Sequence, residues 1–171
     1  MATTMKLIAK QTLGSDTASV TFSGIPQTYD DLVVSISQRN SNATGGGGSV
    51  GIRMDINDLT TNRSWMRLAC GGTTAYSDSG TTTLVGVSPA ANATANTFGN
   101  MEIYFPNYAG SSNKSFSVSD VVENNSATSN QITLIAGLWS STAAITKLSF
   151  NTTSGSLVTG SSFYLYGVNN A

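Results

Sequence analysis

Apolar side chains recur at every second position through most of the chain. The clearest runs are Ala18-Val20-Phe22, Leu32-Val34-Ile36, Val50-Ile52-Met54-Ile56, Met101-Ile103-Phe105, Phe116-Val118, Ile132-Leu134-Ala136-Leu138 and Phe163-Leu165. A period of two is that of a strand with one covered face, because successive Cβ atoms leave opposite faces of a sheet. The i, i+3, i+4, i+7 spacing of an amphipathic helix is nearly absent. Less regular apolar segments at Met5 to Leu13, Trp65 to Cys70, Leu84 to Val87 and Ile145 to Phe150 bring the expected total to about eleven strands.

Clusters such as Leu13-Gly14-Ser15-Asp16, Asn124-Asn125-Ser126 and Thr153-Ser154-Gly155-Ser156 separate the runs and supply the residues that close turns. Short strands with regular turns predict an all-β, antiparallel sandwich or barrel. Around Ala90-Ala91-Asn92-Ala93-Thr94-Ala95-Asn96 the sequence allows at most a short helical turn. No composition shift and no repeat marks a second unit, so residues 1–171 read as one domain. Residues 1–10 read either as an N-terminal arm or, from Leu7 and Ile8, as the start of the first strand. The tract Asn40 to Ser49, with Gly45 to Gly48 at its centre, reads as a flexible exposed loop. It is no phosphate cradle, because a strand follows it where such a loop requires a helix N-terminus.

Composition narrows the chemistry. Hydrophobic residues make up 39% of the chain and charged residues only 10%, well under the roughly 25% usual for soluble domains. Ser, Thr, Asn and Gly must therefore form most of the surface, with little charge repulsion between copies. Eight Lys and Arg against nine Asp and Glu give a net charge of −1 without any basic run, which argues against nucleic acid as a partner. There is no charged-then-apolar leader and no apolar stretch of membrane-spanning length, so synthesis in a cytoplasm and no membrane association are expected.

The sequence contains no histidine, which excludes Ser-His-Asp and Cys-His catalysis and every His-bearing zinc site. Cys70, the single cysteine, sits in an apolar run and reads as a small hydrophobe. Asp30 and Asp31 are adjacent and so face opposite sides of a strand. Glu102 and Glu123 alternate with core positions and point to solvent, where such charges discourage edge pairing. A glycosidase-type carboxylate pair is thus not evident. Asp55-Ile56-Asn57-Asp58 gathers oxygen ligands at a strand end, but it lacks the spacing of an EF-hand loop and reads as an Asx turn; whether Asp55 and Asp58 hold calcium stays open. No cofactor is expected. The remaining candidates are aromatic: Trp65, Tyr76, Trp139, Tyr164 and Tyr166 are possible partner contacts or sugar-stacking platforms. Core or sheet-edge packing is the leading reading for the two tryptophans.

Four blocks carry a resemblance. Ala18-Ser19-Val20-Thr21-Phe22-Ser23-Gly24-Ile25-Pro26 followed by Tyr29-Asp30-Asp31-Leu32 resembles an opening found in structural proteins of tailed bacteriophages, including cyanobacterial ones. Ala95-Asn96-Thr97-Phe98-Gly99 leading to Asn107-Tyr108-Ala109, then Gly137-Leu138-Trp139 with Ala143-Ala144-Ile145-Thr146, and Gly160-Ser161-Ser162-Phe163-Tyr164-Leu165-Tyr166-Gly167-Val168 follow in the same order. The resemblance implies a jelly-roll-like β-sandwich on a virion, in line with the about eight to eleven strands expected from the alternation. It brings no catalytic motif. It fixes no location there, since similar domains occur in capsid decoration proteins and in tail or fibre proteins. The short, self-contained chain makes a capsid decoration, or cement, protein contacting the phage major capsid protein as a homo-oligomer, with a trimer as the prior, the leading expectation. The alternative it leaves open is a tail-fibre or receptor-binding module recognising host glycan.

Overall fold

The computed structural model describes residues 4–43, 49–123, 125 and 130–170, which form twelve strands and no helix. In chain order they are β1 (Met5–Thr12), β2 (Ser19–Ser23), β3 (Asp31–Gln38), β4 (Ser49–Ile56), β5 (Arg63–Gly71), β6 (Thr74–Gly80), β7 (Leu84–Pro89), β8 (Gly99–Phe105), β9 (Lys114–Val122), β10 (Gln131–Trp139), β11 (Lys147–Thr152) and β12 (Ser162–Val168). All pairings are antiparallel. One sheet has eight strands in the order β1-β12-β3-β8-β9-β10-β5-β6, and the other has four in the order β2-β11-β4-β7. The all-β sandwich expected from the alternation is thus observed.

The order has a simple decomposition. Without the β5–β6 and β9–β10 hairpins, the two sheets read β1-β12-β3-β8 and β2-β11-β4-β7, the interleaved order of an eight-stranded jelly roll. The hairpins extend one sheet only, as the neighbouring ladders β9-β10-β5-β6. Twelve strands are present where about eleven were expected, and β6 is the addition. Residues 5–12 pair with β12, so the chain from Met5 onward is a strand and not an arm. Gly45 to Gly48, the centre of the predicted loop, lies outside the described residues. At Ala90 to Thr97 two tight turns take the place of a helical turn, closed by Ala93 N–H to Ala90 O and Thr97 N–H to Thr94 O. Arg39 organises this segment, its guanidinium donating to the carbonyls of Ala91, Ala93, Thr94 and Thr97.

Core and turns follow from residue chemistry. Leu32, Val34 and Ile36 of β3 and Met101, Ile103 and Phe105 of β8 are buried, as are Val20, Phe22, Ile52, Met54, Ile56, Leu148 and Phe150 of the smaller sheet. Phe22, Phe150 and Phe163 run between the sheets with ring centroids 6.5 and 5.9 Å apart, the edge and tilted contacts that aromatic quadrupoles favour. Five of the six described non-glycine residues with positive φ are asparagines, Asn57, Asn62, Asn96, Asn107 and Asn125. Asparagine tolerates the left-handed region better than other side chains, which gives its abundance a structural purpose.

The free edge of β7 is closed by side chains of the facing sheet. Val87 N–H donates to Asp120 Oδ2 at 2.8 Å and Val87 O accepts from Gln38 Nε2 at 3.1 Å. Burial pushes the Asp120 carboxyl up to about 7, against the opposing pull of the Val87 hydrogen bond. Gly86 makes the approach possible, since a methyl group there would lie 2.8 Å from Asp120 Oδ2.

Candidate interaction surface

Register places side chains in rows across the outer face of the large sheet, away from the four-stranded one. One row runs Lys10, Tyr164, Ser35, Glu102, Ser119, Leu134, Leu68, Ser77. The next runs Leu7, Tyr166, Val33, Tyr104, Ser117, Ala136, Met66, Ser79. A third joins Asn100, Val121, Ile132, Cys70 and Ala75. The face therefore has two halves. Tyrosines lie toward β12 and β8, while β10 and β5 carry an apolar stripe of Met66, Leu68, Ile132 and Leu134 with a serine row on each side.

The stripe is exposed. Met66 is 66% accessible, Leu68 59%, Ile132 57% and Leu134 52%. Shallow depressions open between these side chains, one of them bounded by Leu68, Cys70, Ala75, Ile132 and Leu134. From β9 to β6 the outer positions, Ser115 to Val121, Ile132 to Leu138, Ser64 to Cys70 and Ala75 to Ser79 taken alternately, include no charged side chain. Exposed apolar side chains scattered singly are ordinary, whereas a contiguous patch of several marks an interaction site.

β10 departs from the pattern rule. Alternation would bury Ile132, Leu134, Ala136 and Leu138, yet the structure buries Thr133, Ile135, Gly137 and Trp139 and turns the more apolar set outward. The inner set wins because it fits the core. The Phe116 ring on the paired strand occupies the space a Gly137 side chain would need, and Trp139 is fully buried. β5 is built alike: Trp65 and Ala69 are buried, while Met66 and Leu68 face out. Strands apolar on both faces are typical of sheets covered on both sides, and that pattern is readable in Trp65 to Cys70 and Ile132 to Trp139.

The five aromatic candidates separate into three places. Trp139 lies wholly in the core and so offers nothing to a partner, which corrects its candidacy. Trp65 is buried on the inner face, where a methyl group on the opposing Gly80 would come within 2.7 Å of its ring; it too is a packing residue. Beside it, Arg67 sits 5.6 Å from the Trp65 ring centre and 5.2 Å from that of Tyr76 and pairs with Asp78. That bond holds the Arg67 guanidinium above its ordinary range and the Asp78 carboxyl below its own. Tyr76 remains exposed on β6, its hydroxyl accepting from Gln131 Nε2 at 2.9 Å. Tyr164 and Tyr166 are half-buried and stacked, 6.4 Å between ring centres, on the tyrosine half of the outer face. Tyr104 joins them there and was not singled out by the sequence reading.

The carboxylates serve the fold. Asp31 accepts from Tyr104 Oη at 2.6 Å, Asn107 N–H at 2.8 Å and Asn170 Nδ2 at 2.8 Å. Burial pushes its carboxyl up, but these three donors outweigh it and leave the group below its ordinary value. At the Asp55–Asp58 turn, Asn57 Oδ1 accepts from the backbone of Thr146 and Lys147, Asp58 pairs with Lys147, and Asp55 accepts from Asn151. The turn is thus knitted to the strand beside it. Among the described residues, no group of three or more His, Cys, Asp or Glu side chains is placed to hold a metal ion, and no helix is long and apolar enough to cross a membrane. No protein-family model matches the chain, and no curated protein matches it significantly.

Proposed function

We propose that this chain is a non-enzymatic structural protein of a bacteriophage virion, a decoration or cement protein on the outside of the capsid. It would be made in the bacterial host cytoplasm and act by contact with the major capsid protein and with its own copies. The observation that carries the assembly role is the inversion of β10, whose more apolar face points away from the core beside exposed Met66 and Leu68. A chain that leaves such a stripe uncovered has a use for it in a complex. The low charge supports the same reading, since little repulsion opposes close packing of many copies. The four ordered sequence blocks that resemble those of tailed-phage structural proteins support the virion as the setting.

The test is the copy number of the protein in purified virions, by quantitative mass spectrometry against the major capsid protein. A ratio near that of the capsid protein is expected. A second reading, a tail or receptor-binding module for host glycan, is favoured by the stacked Tyr164–Tyr166 pair with Tyr104 on the same face. A ratio of a few per cent or less, with binding on a glycan array, would select it. Absence from virions overturns both.

A further inference from the structure

We propose that the apolar stripe of β5 and β10 is the seat of a second copy of this chain, packed sheet on sheet about a two-fold axis. The inference rests on the stripe being an assembly surface, as proposed above, and names its occupant. Three observations single out a copy.

The first is charge. From β9 to β6 the outer positions within the strands are uncharged, and the carboxylates stand at the margins, Glu102 on β8 and Glu123 just past the end of β9 beside Cys70 and Ile132. Burying a charge against Met66, Leu68, Ile132 and Leu134 would strip its hydration with no counter-charge to replace it, which is strongly unfavourable. The complement of this surface is another uncharged apolar surface, and the chain itself has one.

The second is the order of the rows. The stripe is bordered on β9 by Ser115, Ser117 and Ser119 and on β6 by Ser77 and Ser79. Rotation by two-fold symmetry lays apolar stripe on apolar stripe and places serine rows around it. The result is the apolar centre and hydroxyl rim of a stable interface. A face that meets itself is isologous and closes as a pair, whereas a trimer requires two different surfaces in heterologous contact.

The third is area. Four strands about 4.8 Å apart, three of nine residues and one of seven, at about 3.4 Å per residue form a face of roughly 19 by 29 Å. With side chains standing above that plane, such a face reaches about 600 Å² of accessible surface per partner, the lower end of the range for specific complexes.

The experiment is sedimentation equilibrium on the purified protein over a wide concentration range, with the rate of Cys70 alkylation as a second readout. Cys70 is half-exposed at the margin of the stripe. The wild type should give a dimer mass that falls on dilution, with slow alkylation in the dimer. Leu68→Asp should weaken the dimer by at least about thirtyfold, the loss expected at an interface hot spot, and should speed alkylation. Ser117→Asp, on the exposed serine row away from the core, should do the same without any demand on folding; far-UV circular dichroism should be unchanged in both. A wild type that stays monomeric, a trimeric mass, or a dimer indifferent to both substitutions overturns the proposal. Virion counting tells its failure from failure of the assembly role: a monomer present at capsid-like ratio, and lost with Leu68→Asp, has the shell itself on the stripe.

Discussion

Asp120 and its clamp on Val87 make stability depend on pH in an unusual direction. Folded, the carboxyl titrates at about 7; unfolded, it returns to the ordinary aspartate value of 3.8. Between those values the folded chain holds a proton that the unfolded chain has lost, so the contribution of Asp120 to stability is complete below about 4 and declines as pH rises to about 7. Three pK units correspond to at most about 4 kcal/mol. Asp120→Asn keeps an acceptor for the Val87 N–H and removes the titration, so urea midpoints of this variant should be nearly flat from pH 5 to pH 8 while the wild type loses stability. Parallel curves for the two proteins would refute the assignment. Asp31 acts at the other end of the scale: its lowered carboxyl contributes stability above its unfolded value that is lost as pH falls through the folded one. The two windows do not overlap. At Gly137 the constraint is steric. Gly137→Ala drives a methyl group into the Phe116 ring and should cost about 1–3 kcal/mol. Gly71→Ala, whose methyl would sit 3.7 Å from the Tyr76 ring, should change stability by less than ~0.5 kcal/mol.

Strand by strand, legibility followed the side chains. Where one face is buried and the other is polar, as in Met101-Ile103-Phe105 against Asn100, Glu102 and Tyr104, alternation gave both the strand and its orientation. β6 was not legible. Thr74-Ala75-Tyr76-Ser77-Asp78-Ser79-Gly80 has no apolar period because nearly every residue of it is exposed, and it is a strand only through its pairing with β5. β10 was legible as a strand but not in its orientation, since both of its faces are apolar and the pattern alone cannot say which meets the core. The same ambiguity hid the candidate surface, although two strands apolar on both faces were its trace. The unequal support of these strands has a measurable consequence. β6 is hydrogen-bonded on one side only, whereas β10 is central and carries Ile135 and Trp139 into the core. Amides of β6 should exchange at least about tenfold faster than those of β10, because lightly buried elements open locally. Equal protection of the two would mean that the free edge of β6 is covered in solution.

Across the whole molecule, residues that hold the fold and the exposed apolar residues proposed as a partner surface occupy opposite faces of the same strands. One cluster of buried side chains runs through both sheets, from Val20 and Phe150 to Trp65, Ile135 and Trp139. The hairpin extension therefore shares the core of the eight-stranded frame, and the chain should unfold in one step, with tryptophan fluorescence and far-UV circular dichroism giving coincident transitions. Two substitutions close together in the sheet then separate the two roles. Trp139→Ala empties a site with no accessible surface and should cost about 3–5 kcal/mol in both signals. Leu68→Ser, at a position 59% exposed, should change the stability of the monomer by less than ~0.5 kcal/mol while weakening the proposed self-association. If Leu68→Ser instead destabilised the monomer as Trp139→Ala does, Leu68 would be a packing residue of this sheet and the stripe would lose its standing as a surface kept for a partner.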